Sequence, residues 1–346
     1  MSISRRQFLC VAPSSTAAAA LTRRGGLTRA ADVPASVART SKLVPPDGGR
    51  AIWWMGDDRI RFQALTADTG GAYTWWIDEP PAGVGPPRHV HSREEEGFYV
   101  IDGEVVFQAG NMKATAGPGT FIALPAGIPH GWVNGKTQAR LITFTAEAGN
   151  EGFFLELGGE KKGPRQVMPV GEINRLSERY GVTYLGPAED PTDGSLALGD
   201  GRAPTPVKPG EGEKLYAAGV EYTVKAGGPQ TAGAYTLTEL LLSPGGVVPA
   251  LRHARYEEGI YVLDGEVTAA VAERTFHAGP GDFLVVPWGL THEIKNLGKK
   301  PARLLSLTTP SGIEDYFRAA CRKTGPADRD DLDRLRTVGR RYGIFS

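Results

Sequence analysis

Short apolar stretches, broken by glycine, proline and aspartate, recur along most of the 346-residue chain. The stretch GFYVIDGEVVFQAG, residues 97–110, predicts two strands joined at an Asp-Gly turn. Residues 119–127 predict a strand that stops at a proline, and residues 130–134 and 139–146 predict two more. Many short strands separated by turns are typical of a small barrel or jelly roll.

The pattern occurs twice, because the chain matches itself when it is shifted by about 162 residues. EEGFYVIDGEV from Glu95 corresponds to EEGIYVLDGEV from Glu257. AGPGTFIALPAGIPH from Ala116 corresponds to AGPGDFLVVPWGLTH from Ala278. Self-similarity of this length indicates two copies of one domain.

We therefore predict an all-β protein of two tandem jelly-roll β-barrel domains with short C-terminal helices. The first domain is expected to span residues 45–186 and the second residues 213–346. Residues 187–212 are rich in Pro, Gly and Asp and are expected to be a linker. Each copy ends in a helical pattern, at residues 172–181 and 331–343.

Composition excludes several classes of function. The 39 basic and 39 acidic side chains give a formal net charge of zero without a basic block, which argues against nucleic-acid binding. The chain has only two cysteines, Cys10 and Cys321, so a disulfide framework is excluded. Stability must come from the hydrophobic cores.

Residues 1–31 differ in composition from the rest of the chain. SRRQFL, with Arg5 and Arg6, precedes an Ala-rich run and resembles a twin-arginine export signal. The run is too short and too rich in Ser to span a bilayer, so no membrane anchor is expected. The interpretation predicts a periplasmic or secreted protein, and removing the segment takes away five arginines and no acids.

Three histidines and one glutamate occupy positions at which a barrel could bring their side chains together. His89 and His91 are two residues apart on a strand and therefore point to one face. Burying three imidazoles and a carboxylate in an apolar barrel is costly unless they share a partner, and a divalent cation is such a partner. Nitrogen and oxygen ligands without thiolate suit Mn, Fe, Co, Ni, Cu or Zn. The candidate residues are His89, His91, Glu96 and His130.

Two segments resemble the motifs of the cupin superfamily. GVGPPRHVHSREEEGFYVIDG, from Gly83, resembles the first cupin motif, and GTFIALPAGIPHGWVN, residues 119–134, resembles the second. Both match without gaps, and the duplication makes the chain similar to the bicupins. The resemblance implies that one Mn, Fe, Co, Ni or Cu ion is bound in the N-terminal barrel by His89, His91, Glu96 and His130.

The second copy departs from this motif at one position. It keeps His253, Glu258 and His292 but has Leu251 where the first copy has His89. Two histidines and a carboxylate can still hold a metal, a set that suits non-haem Fe(II). We favour lost or weakened binding, because leucine removes one donor and a complete set already exists upstream.

Among bicupins the sequence looks most like the quercetin 2,3-dioxygenase family. That resemblance implies cleavage of a flavonol-like or related enolic aromatic substrate by O2. Glu96 would combine ligation with a general-base role, and Phe98 and Trp132, at inward parity, would supply flat apolar walls for substrate binding.

Other residues near the motifs have simpler interpretations. Trp75 is expected in the ordinary core. Trp53 and Trp54 are adjacent, so at most one of them faces a cavity. Glu94 and Glu95 are expected on a solvated rim.

Two alternatives from other classes remain. Mn-dependent oxalate decarboxylases and oxidases are also bicupins, but their small dianionic substrate calls for a cationic clamp, and Arg88 is out of phase with the ligands. Cupins also serve as non-catalytic proteins that bind small ligands. A homodimer is common for such barrels.

Overall fold

The computed structural model describes residues 39–186, 200–325 and 331–345. The twin-arginine prediction falls on residues 1–31 and lies outside them, so it stays a prediction. Within the described residues, no helix combines the length and the apolar character that crossing a bilayer requires.

The first barrel consists of two antiparallel sheets. The larger has seven strands in the order β13-β9-β6-β11-β4-β3-β2, and the smaller has five in the order β12-β5-β10-β7-β8. Their bounds are β2 (Arg50–Trp54), β3 (Asp58–Ala64), β4 (Thr74–Glu79), β5 (Arg88–His91), β6 (Glu95–Asp102), β7 (Val105–Ala109), β8 (Met112–Ala116), β9 (Phe121–Leu124), β10 (His130–Asn134), β11 (Arg140–Ala146), β12 (Val182–Gly186) and β13 (Thr205–Val207).

The second barrel repeats this arrangement. Its sheets have the orders β1-β21-β18-β23-β16-β15-β14 and β20-β19-β22-β17-β24. Their bounds are β1 (Lys42–Val44), β14 (Glu213–Ala217), β15 (Val220–Ala226), β16 (Thr236–Leu242), β17 (Val247–His253), β18 (Glu257–Asp264), β19 (Val267–Val271), β20 (Arg274–Ala278), β21 (Phe283–Val286), β22 (Thr291–Lys295), β23 (Ala302–Thr309) and β24 (Ile344–Phe345).

Among the described residues, six short α-helices accompany the strands: α1 (Thr66–Thr69), α2 (Glu151–Leu157), α3 (Val170–Ser177), α4 (Gly228–Thr231), α5 (Ile313–Ala320) and α6 (Leu332–Gly339). The predicted fold class, two β-barrels with short C-terminal helices, is confirmed. The predicted helical stretches become α3 and α6, each prolonged by one 3₁₀ turn. The other four helices, α1, α2, α4 and α5, were not predicted. Cys321, which follows α5, is buried and unpaired.

The barrels exchange edge strands. β1 precedes the first barrel in sequence but pairs with β21 of the second, with Lys42 opposite Val285. β13 lies within the predicted linker but pairs with β9 of the first barrel, with Thr205 opposite Ala123. The predicted domain boundaries stay predictions, and the structure adds that each barrel is completed by a strand that precedes the other copy.

The two seven-stranded sheets pack against each other through their outer faces. Tyr99 and Trp75 of the first barrel and Phe283 of the second belong to one buried apolar cluster. The ring of Trp75 stacks on that of Phe283 with centroids 4.8 Å apart, so Trp75 is buried as predicted, but between the barrels rather than inside the first one. Because β6 is covered on both faces, its residues 95–100 are all buried, and the strand lacks the alternation of a half-exposed sheet.

Gly97 lies on the outer face of β6, where the space is filled by an aromatic ring. A Cβ at this position would stand 2.2 Å from Cζ of Phe144. Gly97→Ala is therefore expected to lower the free energy of unfolding by about 3 kcal/mol, because the ring has to move within a packed interface. Chemical denaturation measures the change.

Gly117→Ala is the matched control, because a Cβ there meets nothing within 4 Å. It is expected to stay within about 1 kcal/mol of the wild type. Equal stability of the two variants would contradict this account of the interface.

Candidate metal centre

The four side chains predicted in the first barrel meet at one point. His89 and His91 come from β5, Glu96 from β6 and His130 from β10. Each residue offers one ligand atom, and these atoms all lie within 4.8 Å of one another. The four residues are only 3–6% exposed. β5 and β10 pair with His130 opposite His89, so the period of two of a strand places the three imidazoles on one inner face.

Backbone carbonyls set the orientation of two of the imidazoles. Nδ1 of His89 lies 2.9 Å from the carbonyl oxygen of Pro87, and Nδ1 of His130 lies 2.8 Å from that of Ile128. A carbonyl oxygen only accepts, so Nδ1 carries the proton in both rings. The lone pair is therefore on Nε2, the nitrogen that faces the cluster, as metal-ligating histidines require.

Burial and neighbouring charges act differently on the members of the cluster. Burial and the two other imidazoles hold the pKa of His89 well below its usual value, which favours the neutral ring. Burial lowers the pKa of His91, but the carboxylates of Glu96 and Glu94 outweigh it and raise that pKa. Burial raises the pKa of Glu96, but His91 and His130 outweigh it, so the carboxyl group is held ionised.

Several buried ligand atoms lack a protein partner, which tests whether a cation fits. Nε2 of His91, Oε2 of Glu96 and Nε2 of His130 make no hydrogen bond. Oε2 of Glu96 lies 2.8 Å from Nε2 of His130 and 3.5 Å from Nε2 of His91, yet neither contact forms a hydrogen bond. A divalent cation would satisfy all of these atoms at once, so the donor set fits a metal.

The second barrel holds a smaller group of the same kind. His253, Glu258 and His292 are buried, and their ligand atoms also lie within 4.8 Å of one another. Leu251 lies opposite His292 in the β17–β22 pair, as His89 lies opposite His130 in the first barrel. Leucine therefore occupies the place of the fourth ligand.

Only one oxygen of the carboxylate in the second group has a hydrogen-bond partner, because Oε2 of Glu258 makes none. Oε2 of Glu258 lies 3.0 Å from Nε2 of His292, and Ser306 donates a hydrogen bond of 2.6 Å to Oε1. Burial raises the pKa of Glu258, but these contacts and His253 outweigh it and lower the pKa to about 2. Burial lowers the pKa of His253 to about 4. Three donors are in place, one fewer than in the first barrel.

Comparison with known proteins agrees with the duplication and the clusters. The cupin domain family matches residues 75–145 and again residues 238–308. Each match contains the carboxylate and the last histidine of one cluster. The protein is a bicupin.

The bicupin is similar to characterised proteins of plants and bacteria. It is 24% identical to quercetin 2,3-dioxygenase of Bacillus subtilis strain 168 over 243 residues, which cover 67% of this chain and 72% of that protein. It is 40% identical to germin-like protein subfamily 2 member 2 of Arabidopsis thaliana over 76 residues, which cover 20% of this chain and 35% of that protein.

Solved structures show the same fold. Oxalate decarboxylase from Bacillus subtilis at pH 4.6 matches with a TM-score of 0.55 and 16% identity, covering 80% of the bicupin and 77% of that chain. The formate complex of Lactobacillus farciminis oxalate decarboxylase matches with a TM-score of 0.56 and 16% identity, covering 78% and 86%.

His89 and Glu96 of the first cluster line a pocket whose walls include several aromatic side chains. Phe98 and Trp132, predicted as substrate-binding residues, both line it, with ring centroids 6.4 Å apart. Trp54 lines the pocket and its neighbour Trp53 does not, as expected of adjacent strand residues. Further walls that the sequence analysis missed come from Trp76, Phe154 and Tyr184.

The acidic residues beside the ligands are not on a solvated rim, so that expectation was wrong. Glu94 is 2% exposed, and its Oε2 lies 3.6 Å from Nδ1 of His91. Glu95 is 6% exposed and forms an ion pair with Arg202, the partner that allows its burial. Arg202 comes from the segment before β13, so the sequence around the motif did not reveal it.

Two further carboxyl groups line the same pocket, and sequence analysis missed both. Asp58 opens β3, and Asp78 lies on β4 opposite Ile60. Asp58 is 5% and Asp78 is 4% exposed. Burial raises the pKa of Asp58 to about 7 although Arg165 opposes it. Burial and the charge of Asp58 raise the pKa of Asp78 well above its usual value.

The raised pKa of Asp58 predicts a pH-dependent effect of Asp58→Asn. The folded protein keeps the proton of Asp58, whereas the unfolded chain releases it above a pKa of 3.8. Ionisation of Asp58 therefore favours the unfolded chain, and the wild type loses stability as the pH rises from about 4 to about 7. Asparagine cannot ionise. We expect its stability gain over the wild type to grow across that window to as much as about 4 kcal/mol and then to level off.

Thermal unfolding of both proteins from pH 4 to pH 8 measures this difference. A difference that does not change with pH would show that Asp58 does not titrate in the folded protein.

Proposed function

We propose that the protein is a metal-dependent dioxygenase that uses O2 to cleave a flavonol such as quercetin, or a related enolic aromatic substrate. The observation that carries the proposal is that three histidines and Glu96 form one cluster, and that His89 and Glu96 of this cluster line a pocket that also has aromatic walls. The similarity to quercetin 2,3-dioxygenase over 67% of this chain supports it. Mn, Fe, Co, Ni or Cu would suit the donor set.

The residues of the first cluster have separate tasks in this proposal. His89, His91 and His130 would hold the ion through ring nitrogens, and Glu96 would complete the set. When bound, the ion supplies Lewis-acid polarisation of the substrate's oxygen atoms, which lowers the pKa of an enolic hydroxyl group. The backbone carbonyls behind His89 and His130 keep the two rings aimed at the ion without rearrangement.

Glu96 would accept the proton of the substrate's hydroxyl group with a carboxylate oxygen that is not bound to the ion. Its neighbours hold the pKa of Glu96 below the usual value, so it is a weak base. It therefore accepts a proton only from a hydroxyl group whose own pKa has been lowered. Phe98 and Trp132 would pack on the rings of the substrate and exclude water from the deprotonated form.

The overall reaction balances without an external reductant. A flavonol and O2 give carbon monoxide and a depside ester, and both atoms of O2 are accounted for in these products. The protein has to supply only binding, orientation and removal of one proton.

Oxalate turnover is the second candidate, because the matched structures are oxalate decarboxylases. Arg165 lines the pocket and could attract an anion, but its Nη1 donates to Asp57 at 2.8 Å. The pairing of Arg165 with Asp57 and the aromatic walls of the pocket therefore favour the flavonol.

The deciding experiment incubates metal-loaded protein with quercetin in air and follows the flavonol absorption band, O2 uptake and carbon monoxide. We expect the band to disappear with stoichiometric release of carbon monoxide. Oxalate is tested in parallel. Turnover of oxalate alone would overturn the proposal in favour of a decarboxylase or oxidase, and bound metal without turnover of either would leave a binding protein.

A further inference from the structure

Asp58 and Asp78 form a pair on the inner wall of the first barrel. Asp78 lies opposite Ile60 on the neighbouring strand, and Asp58 is two residues before Ile60, so both side chains leave the same face of the sheet. Both line the pocket that contains His89 and Glu96. The ligand cluster and the acid pair therefore belong to the walls of one cavity.

The pair is only partly satisfied by the protein. Asp78 accepts a hydrogen bond from the hydroxyl group of Thr143, which lies on β11 opposite Phe98. Oδ1 of Asp58 is buried and has no hydrogen-bond partner. An acceptor that is buried in a pocket wall without a donor costs stability unless a ligand supplies one.

The second barrel shows that the fold does not need acids at these positions. Val220 is the counterpart of Asp58, because it lies opposite Ala217 in the second barrel as Asp58 lies opposite Trp54 in the first. Leu240 is the counterpart of Asp78, because it lies opposite Tyr222 as Asp78 lies opposite Ile60. Both counterparts follow from the shift of 162 residues. Both replacements are buried and apolar. The chain therefore carries the acid pair only in the barrel with the complete ligand set.

The surroundings indicate the chemical class of the missing donor. Trp54 and Trp76 flank the pair in the pocket wall and offer flat apolar surfaces. Neutral hydroxyl groups on a flat ring satisfy the carboxyl oxygens without bringing a charge into the pocket.

We propose that Asp58 and Asp78 form a second polar anchor of the substrate pocket, which accepts hydrogen bonds from phenolic hydroxyl groups on the rings of an aromatic substrate. This inference rests on the proposed function and narrows its substrate class to polyhydroxylated aromatic compounds. The anchor selects among substrates that share the same enolic group, because a site with buried acceptors rejects an analogue that lacks the matching donors.

The test uses the double variant Asp58→Val/Asp78→Leu, which introduces the side chains of the second barrel at the matched positions. Two probes are compared without oxygen on the metal-loaded full chain: quercetin, and 3-hydroxyflavone, which keeps the enolic group but lacks the ring hydroxyl groups. Calorimetry or tryptophan fluorescence gives the affinities. We expect the affinity for quercetin to fall at least about tenfold and that for 3-hydroxyflavone to stay the same or rise.

Two controls separate the anchor from general damage. The metal content and thermal stability of the double variant should not fall below those of the wild type, because buried acids are replaced by apolar residues. Glu160→Gln removes an exposed acid and should change neither affinity. If the double variant misfolds, the isosteric Asp78→Asn repeats the comparison.

An equal change in both affinities, or no change in either, would overturn the inference, because the pair would then only shape the cavity. Binding is measured without turnover, so the two proposals fail separately. Pair-dependent binding of quercetin without O2 uptake would refute the dioxygenase and keep the anchor. If both quercetin and 3-hydroxyflavone are turned over and the double variant does not change this turnover, the dioxygenase is supported and the anchor is refuted.

Discussion

His89→Leu is expected to lower the metal affinity of the first barrel by more than about 100-fold and to reduce quercetin turnover at least in proportion. Loss of a direct ligand should exceed the roughly 10- to 100-fold effect of losing an outer partner. The fold should persist, because Leu251 occupies the matched position of the second barrel and is buried there. Metal per chain after dialysis against a weak chelator, together with O2 uptake, measures the effect.

His130→Ala is expected to have the same result, since it removes another donor of the same cluster. His277→Ala is the control, because this histidine is exposed and belongs to neither cluster. His292→Ala should leave most of the turnover if the second barrel is scaffolding. Full metal content and full activity in His89→Leu would remove the basis for placing the chemistry in the first barrel.

Leu251→His is expected to raise the metal affinity of the second barrel at least about tenfold, because it completes a set of three histidines and one carboxylate. Leu251 already lines the cavity with His253, Glu258 and His292. Metal per chain should rise from near one equivalent toward two. The metal-free variant should lose about 1–3 kcal/mol of stability, because it buries an imidazole without a partner.

Metal titration of wild type and Leu251→His, with thermal unfolding of the metal-free and loaded forms, gives both quantities. Two tightly held equivalents in the wild type would show that three donors suffice and that our expectation of weakened binding was wrong. An unchanged stoichiometry in the variant would show that the added imidazole cannot reach the other ligands.

The ligand cluster was predictable because its geometry follows from local rules. His89 and His91 point to the same face of any strand that contains both of them. Comparison with the second copy identifies the other ligand positions. The pocket acids were not predictable in the same way. Asp58 and Asp78 lie on strands without a recognisable motif, and their inward direction depends on the register between β3 and β4. Comparing the copies would have revealed them, because Val220 and Leu240 are apolar.

Burial of the acids near the motif also depends on distant partners. Glu95 is paired with Arg202, and Glu257 with Arg39. Arg202 lies before the second copy but pairs with the first, and Arg39 lies before the first copy but pairs with the second. The exchanged strands β1 and β13 are three residues long, too short for a hydrophobic pattern, and pairing over such sequence distances leaves no local trace.

The exchange of edge strands also determines when each barrel can be finished during synthesis. The first barrel cannot receive β13 until the ribosome has released residues beyond 207. β1 is made before either barrel, yet its partner, Phe283–Val286, emerges only near the end of translation. Neither half of the chain, made alone, would contain all of its own strands, whereas two halves produced together in one cell could complete each other.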